Sequence, residues 1–383
     1  MTVVGPAVAA SLAKDVYLVQ NPRDAVVFLA RKEFSKDNKI VMKASVGCRI
    51  LRATRDAFAV CAVGGGSRSN EIFLVFRGTT RANKDADIWT DVRCGFELSR
   101  GGKPVHIGFN HAFTSMLPEL KAFFNDHPTV TGTVHCIGHS LGGAVANLAA
   151  DWVARNKPNP VKLYTFGAPR VGGNFFARSC TSLVGEANMM RLFHTTDPVP
   201  MIPIFPFTHA PTRGPNYHLP STLPLISGES HGMESYIESV TNKGWEALKN
   251  NRQNTYTIEA GIEHWLKSKS PVNASSATFW QWVDAALVYV LKKIGAHAIN
   301  ALQIGLMGFW TVADKVAYFL ERGITATVSV STWVYHLMRK LMQALGMKVV
   351  ESVEELTRAL MRTILMRILI RMREYVQTAV RRI

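Results

Sequence analysis

The sequence predicts an α/β domain with a mostly parallel sheet, followed by an all-α region that is hydrophobic and basic. Short apolar runs, typical of buried strands, alternate with longer segments whose apolar residues recur at helical spacing. Strands that alternate with helices indicate a parallel sheet, because each parallel pair needs a crossover connection. The runs that predict central strands are residues 71–77, 134–137, 161–166 and 189–194.

The segments before these strands predict how the α/β domain begins. Helical spacing predicts helices over residues 6–19 and 22–34, each of which starts at a proline. Residues 43–63 predict the two strands of a hairpin, and residues 110–125 predict a helix that leads into the strand at 134–137.

The chain of 383 residues is long enough for one large domain with an appendage, or for two ordinary domains. Its hydrophobic fraction of 47% supports a sizeable core and excludes an intrinsically disordered chain. Small and polar residues at 269–276 precede a strongly apolar tail. We therefore predict an α/β domain at residues 1–270 and a helical region at residues 275–383.

Charge and cysteine content bear on partners and compartment. The net charge of +16 predicts attraction to a polyanion, either nucleic acid or an anionic membrane. The five cysteines are scattered and lack metal-ligand spacing, so we expect synthesis in a reducing compartment. No basic segment precedes the first apolar residues, so we expect a cytoplasmic product without a cleavable signal peptide, membrane-associated or exported by a signal-independent route.

Residues 134–154, VHCIGHSLGGAVANLAADWVA, combine a strand, a tight turn and a helix around one serine. The turn has the G-x-S-x-G pattern, with Gly138, Ser140 and Gly142. A serine on such a turn projects its hydroxyl from the sheet edge, where side chains two residues away would clash with backbone. The helix that follows points its positive N-terminal dipole at the serine. Ser140 is therefore the candidate nucleophile, and an ordinary Gly-rich turn is the alternative.

The end of the strand at 71–77 supplies a candidate partner for Ser140. This strand runs into Gly78 and Thr79, at the sheet edge where parallel strands end together. The N–H and hydroxyl of Thr79, with the N–H of Leu141, form a candidate oxyanion hole. A strand followed by a polar turn is the alternative interpretation.

Several motifs occur in the order found in a known family. They are FRGT, DIWTD, V-H-x-G-F, GHSLGG, FGAPRVG and D-P-V-P, all between residues 76 and 200. Together they resemble the class 3 lipases of the α/β-hydrolase fold, and an ordered series is far more specific than any single motif. The resemblance covers roughly residues 10–250 and leaves the tail beyond residue 260 outside it.

The resemblance implies a catalytic triad in the order Ser, Asp or Glu, His. Asp197 follows the strand at 189–194 and precedes Pro198, so it is the candidate acid, with a plain Asp-Pro turn as the alternative. His231 resembles the catalytic histidine of bacterial class 3 lipases in an H-x-M-x-x-Y setting and is the candidate base. His218 is the second candidate.

Two segments near these residues have apolar side chains that suit a lipid substrate. Residues 81–95 lie where the family carries a mobile lid, and an ordinary polar loop is the alternative. Residues 198–224 include a candidate acyl-binding wall, which is otherwise a packed surface loop. The apolar side chains of that wall are Ile202, Ile204, Phe205 and Phe207.

The tail contains two uncharged runs, residues 296–313 and 324–338. The first is at the lower length limit for crossing a bilayer and the second is too short. A soluble helical bundle, membrane insertion and partner binding all remain open. Residues 347–383 predict one long amphipathic helix with many arginines, which suits an anionic membrane surface or a partner helix.

These residues predict a serine ester hydrolase of the lipase or phospholipase type, with no metal or organic cofactor. The basic tail favours membrane glycerolipids as substrate, and we expect no nucleic acid partner because no nucleic-acid-binding motif is present. A secreted antibacterial effector, with an immunity, chaperone or secretion protein as partner, fits this combination. The alternative is a non-enzymatic, membrane-active or scaffold protein whose function lies in the C-terminal helices.

Overall fold

The structure is a computed structural model, and it describes most of the chain. The described residues are 2–46, 54–79, 95–212, 217–221, 225–249, 259–295, 298, 301–302 and 311–381. The predicted lid, except for its last residue, lies outside the described residues, as does most of the uncharged run at 296–313.

Seven strands form the central sheet of the α/β domain. From β3 onward, each strand runs parallel to its neighbour, whereas β1 and β2 join the sheet as an antiparallel hairpin. This mostly parallel sheet confirms the predicted fold class. In order across the sheet the strands are β1 (Phe34–Val46), β2 (Thr54–Gly64), β3 (Ile72–Phe76), β6 (Val134–His139), β7 (Val161–Phe166), β9 (Met189–His194) and β11 (Tyr217–Leu219).

A smaller antiparallel sheet lies beside the central sheet. Its strands, in order across it, are β10 (Phe207–Thr208), β8 (Gly172–Gly173), β5 (Pro104–His106) and β4 (Phe96–Leu98). β5 leads directly into the helix that begins at Ile107, and β8 follows the loop after β7, so this sheet connects the loops at the carboxyl edge of the central sheet.

Helices cover both faces of the central sheet. The apolar sides of α3, α4 and α5 pack on one face, and those of α1 and α6 pack on the other. These buried faces explain the helical spacing of apolar residues in the sequence. The helices are α1 (Pro6–Asp15), α2 (Pro22–Leu29), α3 (Ile107–Asp126), α4 (Leu141–Asn156), α5 (Asn174–Val184), α6 (Met233–Val240) and α7 (Trp245–Leu248).

The two N-terminal helices are shorter than predicted. After α1 the chain tightens into the 3-10 helix Val16–Gln20, and Asn21 then caps α2 by accepting the N–H of Arg23 at 3.0 Å. α2 ends at Leu29, and Phe34 begins β1 by pairing with Gly64. The predicted end of the second helix at residue 34 was therefore wrong, because Phe34 is buried as a strand residue.

The C-terminal region is all-α within the described residues, as predicted. The last helix begins at Arg358, so the prediction of one helix from residue 347 was wrong. Ahead of it, the N–H groups of Glu351 and Ser352 donate to the Glu355 carboxylate, a local arrangement that competes with helix formation. The helices are α8 (Glu259–Lys267), α9 (Ala277–Ile294), α10 (Val312–Ile324), α11 (Val328–Ala344) and α12 (Arg358–Val380).

The helical region has its own hydrophobic core, which extends to the α/β domain. Side chains of α8 to α12 pack in one cluster with Phe96 and with apolar residues of the segment 199–207. This segment directly follows Asp197. Among the helices that the structure describes, none combines the length and apolarity needed to cross a bilayer.

Candidate active site

The carboxyl ends of the parallel strands bring the candidate site residues together. β3 ends just before Gly78 and Thr79, β6 runs into Ser140, and β9 leads within three residues to Asp197. Parallel strands end at the same edge of a sheet, so these three loops are neighbours. The crossover topology therefore builds the site from segments that are distant in sequence.

Ser140 joins β6 to α4 through a strained turn. Its backbone has φ 57° and ψ −128°, a conformation that few residues other than glycine adopt. Its N–H donates to the Phe166 carbonyl at 2.9 Å, and its own carbonyl accepts the N–H of Gly143 at 3.0 Å. A Cβ at Gly138 would lie 2.3 Å from the Gly142 carbonyl oxygen. The G-x-S-x-G spacing thus follows from backbone crowding.

The side chains of Ser140, His231 and Asp197 form a continuous hydrogen-bonded series. Nε2 of His231 lies 2.9 Å from Oγ of Ser140, and Nδ1 lies 2.8 Å from Oδ2 of Asp197. Because a carboxylate accepts, Nδ1–H donates to Asp197, and Nε2 is left to accept the serine proton. This is the geometry in which a histidine can take a proton from a serine hydroxyl.

Asp197 accepts two further hydrogen bonds. The Tyr236 hydroxyl donates to Oδ2 at 2.7 Å, and the Val199 N–H donates to Oδ1 at 2.9 Å. Burial, followed by the charge of Asp197, raises the pKa of Tyr236 well above its ordinary value, so this hydroxyl keeps its proton. Gly167, at φ +56°, lies opposite, and a Cβ there would be 2.6 Å from Oδ2 of Asp197.

The backbone around His231 is held by a second histidine. Nδ1 of His194, at the end of β9, lies 2.7 Å from the carbonyl oxygen of Ser230, and its Nε2 lies 2.9 Å from Oγ of Ser239. The hydroxyl groups of Ser230 and Thr196 are 2.7 Å apart. These bonds connect the 3-10 helix that carries His231 to the strand that delivers Asp197.

The site is closed to solvent in this structure. Ser140, His231 and Asp197 are each 0% exposed, so none of the three side chains contacts solvent. A dry site strengthens each hydrogen bond in the series, because the local dielectric is low.

Thr79 and Leu141 each adjoin a residue of the site in sequence: Leu141 follows Ser140, and Thr79 follows Gly78, where an added Cβ would lie 3.0 Å from Cβ of Ser140. Both are buried, and a Cβ at Gly142 would lie 2.2 Å from the carbonyl oxygen of Phe76. The first turn of α4 is therefore pressed against the end of β3, which leads to Thr79. The first N–H groups of a helix have no intrahelical partner and are available to an oxyanion.

Other histidines of the sequence have different surroundings. The Nε2 atom of His218 contacts the Thr195 hydroxyl, and its ring stacks on Phe193 at 5.1 Å, so the structure joins His231 rather than His218 to Ser140. His106 is the N-cap of α3, where its Nδ1 accepts the N–H of Gly108 at 3.2 Å. Burial lowers the pKa of His106 to about 3.

The apolar wall predicted after Asp197 is covered by the C-terminal helices. Its four apolar side chains are at most 9% exposed and belong to the core of the helical region. A polar contact holds the same interface: Oδ1 of Asp284 on α9 accepts from Arg170 at 2.8 Å and from the N–H of Phe205 at 3.0 Å. The wall therefore lies between the two parts of the chain, and its role in acyl binding stays a prediction.

Three of the cysteines lie within the described residues. Cys61, Cys136 and Cys180 are buried free thiols, and burial raises the pKa of each, so they remain protonated. In the described part of the chain, no group of three or more His, Cys, Asp or Glu side chains is arranged to hold a metal ion.

Sequence reasoning missed three residues of the site. Tyr236 was part of the H-x-M-x-x-Y pattern but had no assigned role, and Gly167 was noted only within FGAPRVG. Tyr17, whose hydroxyl lies 2.8 Å from Nδ1 of His139, gave no signal, because it is more than 120 positions away. Only the fold brings Tyr17 to the site.

The parallel sheet, the strained serine turn and the Ser–His–Asp series are those of an α/β-hydrolase. Residues 73–207 match the family model described as Lipase (class 3), which confirms the resemblance to the class 3 lipases.

The relatives are lipases from several kingdoms. The chain is 40% identical to secreted mono- and diacylglycerol lipase 1 of Fusarium solani over 120 residues, 31% of this chain and 35% of that protein. It is 26% identical to the chloroplastic galactolipase DONGLE of Arabidopsis thaliana over 229 residues, 48% of each protein. The Rhizomucor miehei triacylglyceride lipase structure aligns with a TM-score of 0.40 at 26% identity, over 55% of this chain and 77% of that one. The chain thus spans about a third to a half of the length of these first two relatives.

Proposed function

We propose that the protein is a serine ester hydrolase of the lipase type, with Ser140 as nucleophile, His231 as base and Asp197 as the acid that orients His231. The observation that carries the proposal is the buried hydrogen-bonded series of these three side chains at a strained strand-to-helix turn. The match of residues 73–207 to the class 3 lipase family model supports the same reaction class.

In the proposed mechanism, Oγ of Ser140 attacks the ester carbonyl carbon while Nε2 of His231 takes the hydroxyl proton. The carbonyl oxygen becomes an oxyanion that accepts hydrogen bonds from Thr79 and from the N–H of Leu141. The intermediate collapses, and His231 returns the proton to the leaving alcohol. A water molecule then attacks the acyl-enzyme by the same route, which releases the fatty acid and regenerates Ser140.

The proposed substrates are acyl esters of membrane glycerolipids, with phospholipids preferred. The names of two relatives, a mono- and diacylglycerol lipase and a galactolipase, support the proposal of a glycerolipid ester as substrate. The buried apolar segment 199–207 next to Asp197 is suited to contact a long acyl chain once its cover moves.

The proposed membrane contact is the exposed side of α12. Its buried side contributes apolar residues such as Ile368 and Met372 to the helical core, which leaves the arginines at the surface. Arg362 and Arg358 form ion pairs with Asp314 and Glu321. The overall charge of +16 adds attraction to anionic lipid. The exposed arginines of this helix are Arg358, Arg362, Arg367 and Arg371, and Arg381 is exposed at its C-cap.

Vesicle binding tests this contact. Changing Arg367→Gln and Arg371→Gln should weaken binding to anionic phospholipid vesicles about fivefold per charge removed, with no effect on zwitterionic vesicles. A charge-matched control, Lys32→Gln with Lys36→Gln near β1, should bind as the wild type does. Equal binding by all three proteins would exclude α12 as the membrane contact.

We propose that this basic, lipid-degrading enzyme is an antibacterial effector that acts on the membrane of a competitor. Expression in the periplasm of a susceptible bacterium should stop growth, and Ser140→Ala should remove the toxicity. Normal growth with the wild-type protein would refute the effector role. Toxicity that persists with Ser140→Ala would favour the alternative, in which the C-terminal helices act on the membrane without hydrolysis.

A further inference from the structure

Tyr17 lies outside the segment 73–207 that matches the family model, yet its hydroxyl contacts the site. It belongs to the 3-10 helix Val16–Gln20, and its Oη lies 2.8 Å from Nδ1 of His139. The other ring nitrogen of His139, Nε2, lies 2.8 Å from the backbone carbonyl oxygen of His231. Two hydrogen bonds therefore connect the N-terminal segment to the backbone of the proposed base.

The direction of each hydrogen bond follows from the groups present. Burial, with the neighbouring His231 ring, lowers the pKa of His139 well below its ordinary value, so the ring is neutral and carries one N–H. A carbonyl oxygen only accepts, so that N–H is on Nε2 and Nδ1 is an acceptor. Tyr17 is then the donor to Nδ1, and burial raises its pKa, which keeps the proton on the hydroxyl.

The same hydroxyl contacts the strand end that carries Thr79. The Gly78 backbone approaches the Tyr17 hydroxyl so closely that no side chain would fit between them. A Cβ at Gly78 would lie 2.2 Å from Oη of Tyr17 and 3.0 Å from Cβ of Ser140. The Gly78 backbone is thus held between the Tyr17 hydroxyl and the nucleophile.

We propose that Tyr17 and His139 are positioning residues that hold the oxyanion-binding end of β3 and the base His231 in register. This relay runs from Gly78, which packs against the Tyr17 hydroxyl, through Tyr17 and His139 to the His231 carbonyl, and it rests on the proposed hydrolase function. Neither residue touches the reacting atoms. Both act by keeping donors and base where the transition state needs them, and displacements of about 1 Å at such groups cost up to 10²-fold in rate.

A second tyrosine–histidine pair in the chain serves as a control. It distinguishes an effect on the position of the site residues from a general loss of folding stability. Tyr164 Oη lies 3.2 Å from Nδ1 of His135, so it repeats the Tyr–His pairing at the opposite end of β6, away from Ser140. Tyr17 packs against the central sheet, and Tyr164 belongs to its strand β7. Tyr164→Phe therefore removes the same kind of hydrogen bond without touching the site.

The test compares kcat and KM for a soluble short-chain ester. Tyr17→Phe, which keeps the ring, should lower kcat about 10- to 100-fold with KM changed less than about twofold. Tyr164→Phe should leave kcat within about twofold of the wild type while lowering Tm. An unchanged kcat in Tyr17→Phe, or an equal loss in both variants, would overturn the proposal.

A second measurement is independent of turnover. The ¹⁵N chemical shifts of His139 should show a neutral ring protonated at Nε2, and Tyr17→Phe should shift the Nδ1 resonance. A ring protonated at Nδ1 would overturn the relay even in an active enzyme. If the wild-type protein hydrolyses no ester, the proposed function fails, and these shifts alone decide whether the relay exists.

Discussion

The Tyr236 hydroxyl and the His231 ring donate to the same oxygen of Asp197, at 2.7 and 2.8 Å respectively. The Val199 N–H donates to the other oxygen of Asp197. The carboxylate is therefore held against rotation about its Cβ–Cγ bond. A carboxylate with all these donors keeps His231 in the tautomer that leaves Nε2 facing Ser140. Tyr236 thus extends the Ser–His–Asp series by one buried group.

Tyr236→Phe should weaken this arrangement without removing it. The change deletes only the hydroxyl, and we expect a roughly 10-fold loss of kcat and a loss of about 1–3 kcal/mol in the free energy of unfolding. Steady-state kinetics and urea unfolding measure the two quantities. Wild-type values for both would show that the hydrogen bond to Asp197 contributes nothing.

Gly167→Ala should inactivate the enzyme, and Gly66→Ala provides a matched control. Both glycines have left-handed backbones, φ +56° and +55°, so an added Cβ strains each by about 1–2 kcal/mol. Only at Gly167 would the new Cβ meet Asp197, Tyr236 and His231, whereas nothing lies within 4 Å at Gly66. Both variants should lose a similar amount of folding stability from backbone strain, but only Gly167→Ala should lose ester hydrolysis. Equal activities would refute this crowding argument.

The folded protein should lose stability as the pH falls, because burial disfavours the protonated form of His106. Its folded-state pKa of about 3 lies below the ordinary value of 6.5, so between these values the unfolded chain binds a proton that the folded chain does not. The free energy of unfolding therefore decreases as pH falls below about 6.5, by up to about 1.4 kcal/mol per pH unit for one such group. His106→Asn keeps an acceptor for the Gly108 N–H but does not titrate. Urea unfolding at pH 7.5 and 5 should show a smaller decrease for the variant, and parallel decreases would contradict the assignment.

Asp284→Asn should loosen the contact between the helical region and the segment 199–207. The substitution keeps an acceptor for the Phe205 N–H but removes the charge that pairs with Arg170. The side chains of Arg170 and Asp284 are 13% and 26% exposed, so we expect a loss of about 1–3 kcal/mol. Hydrogen exchange should accelerate at residues 199–207 and not in β6. If the substitution changed the exchange rates of both segments equally, that result would argue against a local contact.

The sequence predicted the parts of the site that depend on local chemistry. The strained turn at Ser140 needs its glycines within two positions, so a short motif reveals it. Asp197 follows a strand, and the order of the family motifs pointed to His231. The structure brings these three side chains together. Their catalytic roles stay predictions until activity is measured.

The remaining features depend on contacts that a local pattern does not contain. Tyr17 reaches His139 only because α1 and the following 3-10 helix pack on the sheet. The apolar residues after Asp197 suited an acyl-binding wall, but nothing in that segment showed that distant helices would cover it. The helix predicted from residue 347 begins at Arg358, since Glu355 binds the backbone ahead of it.

The most direct test of the hydrolase function is ester hydrolysis by wild-type protein and Ser140→Ala, measured with both a soluble short-chain ester and anionic phospholipid vesicles. Circular dichroism and urea unfolding would establish that both proteins are folded. We predict that the wild type hydrolyses ester and releases fatty acid, whereas Ser140→Ala loses roughly 10⁶-fold in kcat at nearly unchanged stability. Hydrolysis at the same rate by Ser140→Ala would contradict the assignment of the nucleophile.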